Sequence, residues 1–160
     1  MRTTFLLPNY WKWIGWLLFI SPIFTQILLW HYNVETYDFL KYKIIAFYNE
    51  GFIFDKTGFF ETTENSLLDE LLLTICLIGG IITGFYKTKF EDEMVLKIRY
   101  ESMAWSLIVN TLLIILTTWM FYGNIYFNVM IVYIVLFLLI YNIRLHYQLY
   151  LLQKISENDE

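Results

Sequence analysis

Apolar residues fall into four long runs, separated by polar stretches of very unequal length. The first run, residues 13–31, opens behind Tyr10, Trp11, Trp13 and Trp16, an aromatic cluster of the kind that sits at a membrane–water interface. It is long enough to span a bilayer, and Ser21-Pro22 at its middle predicts a kink. A cleaved signal peptide is the rival reading. The run exceeds an h-region and no small-residue cleavage pattern follows, so a retained helix is preferred. The second run, residues 67–86, opens on Ser66-Leu67-Leu68-Asp69, an N-cap pattern with acids where the helix dipole favours them. The third run covers residues 103–122 and the fourth 125–143. Only Gly123-Asn124 lies between them, so they form a helical hairpin with almost no loop. The fold expected is an all-α membrane protein with four transmembrane helices in a bundle.

The two longer polar stretches differ in kind. Residues 33–65 form the loop between helices one and two. They carry turn signals at Asn49-Glu50-Gly51 and Asp55-Lys56-Thr57-Gly58, with short apolar runs at 44–48, 52–54 and 59–60. These read as strands of a small β-hairpin or meander. Residues 87–102 are the densest run of charge. Within them Glu93, Lys97 and Glu101 are successive i, i+4 partners, a stripe of alternating sign on one helical face. Met94, Leu96 and Ile98 supply an apolar side. Helix three is therefore expected to begin near Glu91 and run unbroken into Met103. From Glu91 to Tyr122 is 32 residues, about 48 Å of helix against an apolar bilayer core of ~30 Å, so it should project from the membrane. The tail, residues 144–160, keeps helical spacing at Leu145, Leu149 and Leu152 and reads as an amphipathic extension of helix four.

Composition supports the membrane class. The chain has 160 residues, 58% hydrophobic and 16% charged, where soluble domains carry about 25% charged. The net charge of −4 gives no support to nucleic-acid binding. Charge also orients the spans. Eight of the basic residues lie on the side of the termini and the 87–102 stretch, and three lie in the 33–65 loop. The positive-inside bias then places both termini in the cytoplasm of a bacterium, in its inner membrane, with an acidic outer loop.

The candidate chemistry is sparse. One cysteine, Cys76, rules out an internal disulfide. Cys76, Gly80 and Gly84 share a helical face, and Gly80-x-x-x-Gly84 permits close helix approach in lipid. Packing within the chain is preferred over a homo-oligomer face. Arg99, Ser102, Ser106, Asn110 and Thr117 fall on one side of helix three. Asn110 at membrane depth needs a partner, with Asn128, Tyr133, Gln26 and Thr25 as candidates. Arg99 lies near the membrane boundary and could pair with Asp92, Glu101 or an acid of another helix. The trio Glu91-Asp92-Glu93 points three ways around a helix, and no Glu-x-x-His accompanies it, so a metal centre is not expected. No cofactor is expected, and no hydrolase, metalloprotease or nucleotide fingerprint is present. No ionisable residue lies at mid-membrane, where proton-coupled transporters place one.

The run Phe85, Lys89, Glu91-Asp92-Glu93, Ile98-Arg99 and Glu101-Ser102, with Trp105, Asn110, Phe121-Tyr122-Gly123 and Val129-Met130, resembles a family of small bacterial four-span membrane proteins without an assigned activity. The likeness covers residues 64–150. It implies fold and location and carries over no catalytic residue. The function expected is a non-catalytic accessory or scaffold subunit. It would meet a protein partner or a second copy through the cytoplasmic helix or the Cys76/Gly80/Gly84 face. A sensor with a ligand-binding outer loop is the alternative, and a membrane enzyme or lipid-binding protein the weaker one.

Overall fold

A computed structural model describes residues 6–32, 41–49, 58–88 and 93–158. The elements in chain order are α1 (Trp11–His31), β1 (Lys41–Asn49), β2 (Gly58–Ser66), α2 (Leu68–Gly84), α3 (Glu93–Met120) and α4 (Asn124–Asn158). Three helices are long and apolar enough to cross a membrane: Trp11–His31, Glu93–Met120 and Ile125–Ile155. They place the chain among helical membrane proteins. α2 is shorter, at 17 residues. The chain divides into two compact units, one formed by Met1–Ile20 with Cys76–Glu160 and the other by Ser21–Ile75.

In the second unit β1 pairs antiparallel with β2, from Lys41 opposite Ser66 to Asn49 opposite Gly58. The β-branched residues Ile44 and Ile45 stand opposite Thr63 and Thr62, residue types that suit a pleated strand. β2 runs six residues past Phe60, across a stretch whose charge and hydroxyls had hidden it in the sequence. Both turn signals and the 52–54 run fall on or beside residues 50–57, outside the described residues. α2 opens two residues after β2 with Asp69 and Glu70 in its first turn.

The first unit is organised by α2, and glycine makes that possible. A Cβ built on Gly79 would lie 2.5 Å from Phe19 N, and one on Gly15 would lie 2.6 Å from Thr83 Oγ1. α1 and α2 therefore touch backbone to backbone. On the next face, a Cβ on Gly80 would lie 2.9 Å from Leu138 Cδ1, and one on Gly84 would overlap the Tyr141 ring. The Gly80/Gly84 face is thus occupied by α4 of the same chain. Cys76 is buried, with Sγ 3.6 Å from Phe19 O. α1 continues through Pro22 to His31, and membrane helices tolerate an internal proline.

α3 and α4 are single helices joined at Gly123, whose φ of +77° suits a residue without Cβ. α4 has 35 residues, about 52 Å at ~1.5 Å per residue, and includes the tail. Beside the start of α3 it builds a small apolar core: Tyr86, Val95, Tyr141, Leu145 and Leu149, with Ile98 and Leu152 against them. Farther along, the polarity inverts. Four of the five buried residues of α3 are polar or charged (Arg99, Ser102, Ser106, Asn110), while Leu107, Ile108, Leu112 and Leu116 are more than half exposed. Water would penalise such a surface; hydrocarbon solvates it and drives polar groups inward.

The glycine contacts predict an asymmetry. Gly84→Val forces a methyl into the Tyr141 ring and should cost about 1–3 kcal/mol, read as a lowered Tm in mild detergent. Ala104→Val, on the exposed face of α3, should leave Tm nearly unchanged.

Candidate functional site

Arg99, Tyr141 and Asn142 of the first unit converge on the C-terminal end of α2. The last carbonyls of any helix lack intrahelical donors and carry the negative end of the dipole. α2 has no basic residue in its last turn, so it cannot neutralise that end itself. α3 supplies the cation. Arg99 is 6% exposed; its Nη1 donates to Gly84 O at 2.7 Å and its Nη2 to Tyr86 O at 2.6 Å. The planar fork of guanidinium is suited to two neighbouring oxygens. Tyr141 Oη donates to the same Gly84 oxygen at 3.2 Å. Asn142 Nδ2 donates to Gly80 O at 3.0 Å, one turn earlier, and to Leu138 O of its own helix at 2.9 Å.

Aromatic rings close the cluster. Lys12 Nζ and Arg99 Cζ lie 5.4 and 5.9 Å from the Tyr86 ring centroid, within cation–π range. His146 stacks on Tyr86 at 5.5 Å and meets Trp16 edge-on at 5.2 Å. Its Nδ1 donates to Asn142 O at 2.8 Å, which leaves Nε2 as the lone-pair nitrogen. The chain before α1 also joins the cluster. Leu7 N donates to Phe85 O at 3.0 Å and Lys87 N to Leu7 O at 2.7 Å.

Several expected pairings resolve differently. Arg99 binds main-chain oxygens of the α2 exit, a partner the sequence reading had not considered. Asp92 and Glu91 lie outside the described residues. Glu101 is instead 3.8 Å from Lys97, an exposed i, i+4 pair that contributes little. Glu93 is exposed at the start of α3. Asn110 is buried as expected, but its Oδ1 has no hydrogen-bond partner among the described residues. Tyr133 Oη goes to Leu113 O at 3.3 Å, Gln26 lies 3.5 Å from Asp69, and Thr25 bonds Ser21 O. Ser106 and Thr117 return their hydroxyls to carbonyls of α3. Asn142, His146, Tyr86 and Gly15 were missed. The first two sit at i, i+4 with Leu145 and Leu149 alongside, a spacing that could have marked a polar strip beside the apolar one.

Chemically this is a lock. Its donors go to main-chain oxygens, where they hold α2, α3 and α4 together at one end. Among the described residues no three His, Cys, Asp or Glu side chains group as metal ligands. Comparison of the chain with protein-family models, curated proteins and solved structures found no match. The likeness noted for residues 64–150 therefore stands on those residues alone.

Two substitutions on one helix should behave oppositely. Arg99→Gln removes both charged bonds and strands buried carbonyls, and should cost about 3 kcal/mol. Asn110→Leu removes an acceptor that bonds nothing here and should be neutral or stabilising. Reversible unfolding in mixed micelles measures both.

Proposed function

We propose that the protein is an accessory or scaffold subunit of a membrane assembly, without catalytic activity of its own, that binds a protein partner through the projecting ends of α3 and α4. The observation that carries this reading is the length of α4. About 52 Å of continuous helix exceeds an apolar core of ~30 Å by several turns. The excess is built as a folded element, with Val95, Ile98, Leu145, Leu149 and Leu152 inside it. Its outer surface displays Met94, Tyr147, Tyr150 and Ile155, each more than half exposed, and Met and Tyr are enriched in protein interfaces. In this reading α2 is a fourth span, since 17 residues lies at the lower limit for crossing. The basic-residue count puts both termini and the projection in the cytoplasm of a bacterial cell.

The division of the chain favours a second reading. One boundary between the two units falls at Ile20 and Ser21, beside Pro22. That is the position expected for a hinge in a sensor whose 33–65 loop meets a ligand.

One experiment separates the two. A photo-crosslinking amino acid at Tyr150 should join the chain to a discrete protein in intact cells, and one at Leu112, on the lipid-facing side of α3, should not. Replacing residues 41–66 by a short neutral linker should leave the Tyr150 product intact. No product at Tyr150 counts against the scaffold reading, and a product lost with the linker favours the sensor.

A further inference from the structure

The Arg99 end of the first unit carries an open groove of about 130 Å³. α3 forms one wall with Leu96, Arg99, Tyr100 and Met103, and Leu6 and Phe85 stand on the other. The α3 positions are i, i+3, i+4 and i+7, one helical face. That face continues without interruption into Leu107, one turn past Met103 and 58% exposed. The groove therefore opens onto the surface that hydrocarbon solvates, and apart from Arg99 and the two-faced Tyr100 and Tyr141 its walls are apolar. An acyl chain is the occupant that fits such a channel.

Cations lie near its mouth. Among the described residues, Lys12, Lys87 and Arg144 have no carboxylate within ion-pair distance. Lys12 and Arg144 stand over aromatic rings, Tyr86 and Trp105, at 5.4 and 4.5 Å. Lys87 is exposed, two residues from Phe85 of the groove wall, and its N–H is bonded to Leu7, next to Leu6 of the same wall. Arg144 lies one turn from Tyr141, which also lines the groove. Of the described acids of α3, Glu101 faces Lys97 and Glu93 is a turn farther out. Two of the cations near the mouth, Lys12 and Arg144, thus face rings, and a third, Lys87, is exposed.

We propose that the groove seats one acyl chain of an anionic glycerophospholipid, with the phosphate held in the field of Lys87 and Lys12. The site rests on the membrane reading of the helices and is independent of the protein partner proposed above.

The test uses the full chain in mild detergent, titrated with phosphatidylglycerol and, separately, phosphatidylcholine of the same acyl composition, with adducts counted by native mass spectrometry. The wild type should retain phosphatidylglycerol in preference. Lys87→Gln, at an exposed side chain, should lower that retention about fivefold with Tm unchanged and phosphatidylcholine adducts unaffected. Met103→Trp, which fills the groove, should lower retention of both lipids, while Leu112→Trp on the lipid-facing side of α3 should lower neither. Equal retention of the two lipids by the wild type, or retention that survives both Lys87→Gln and Met103→Trp, means annular lipid only and overturns the site. Recovery of the chain in the soluble fraction without detergent would overturn the membrane reading itself, and the site with it.

Discussion

The bond from the Arg99 guanidinium to the carbonyls of Gly84 and Tyr86 is the interaction on which the first unit depends. A buried helix end has no water to satisfy its last carbonyls. α2 ends in Gly84, with Gly79 and Gly80 just before it, and these residues bring no side-chain donor. The same glycines let α1 and α4 approach closely, and close approach excludes the water that would otherwise serve those oxygens. The packing and the cap are therefore one requirement. The glycines create a dry helix end, and the dry end needs a donor from another helix. Arg99 answers with two donors and a charge opposed to the helix dipole. Tyr141 and Asn142 bring further donors from α4.

That arrangement explains why a cation can be 6% exposed in a protein of this kind. Desolvating a guanidinium is expensive unless its donors are met. Here the acceptors are fixed carbonyls, the Tyr86 ring covers part of the cation, and the guanidinium need not lose its proton to be accommodated. Lysine in its place would keep the charge but could not span two carbonyls on a planar fork. Farther along the polar stripe Ser106 follows the same rule more weakly, returning its hydroxyl to its own helix, whereas the buried Ser102 Oγ has no hydrogen-bond partner among the described residues. Buried polar groups and exposed leucines on one helix are two views of a single choice of solvent.

How much of this could be read from the chain follows from where the information lies. The face shared by Arg99, Ser102, Ser106 and Asn110 is set by helical period, so spacing alone revealed it. The α3–α4 turn was legible because Gly123-Asn124 is the sole polar break in that region. The helical tail was legible because Leu145, Leu149 and Leu152 keep the period. The partner of Arg99 was not, because a main-chain oxygen has no residue identity and every position offers one. Asn142 was hidden by its apolar surroundings, and β2 by the polar run from Glu61 to Ser66. The Gly80-x-x-x-Gly84 spacing announced a close contact but could not say whose helix filled it; the answer lay in Leu138 and Tyr141, more than fifty residues away.

The same logic bears on why the charged stretch before α3 exists at all. α3 must start outside hydrocarbon if Arg99 is to be delivered to the α2 exit from an α-helical frame, because the turns preceding a buried arginine need polar surroundings on their other faces. Lys97 and Glu101 provide them without competing for Arg99, since both are exposed and lie close to each other. Val95 and Ile98 then pack with Leu145 and Leu149, so apolar packing helps hold the turns before the arginine. What reads in the sequence as the densest cluster of charge is thus, on its inner side, the apolar seam that fixes the register of α3 against α4. Slipping α3 by one residue would turn both Val95 and Arg99 by about 100°, away from Leu145 and from the Gly84 carbonyl together. The seam and the arginine therefore specify the same register, and neither could be satisfied without the other.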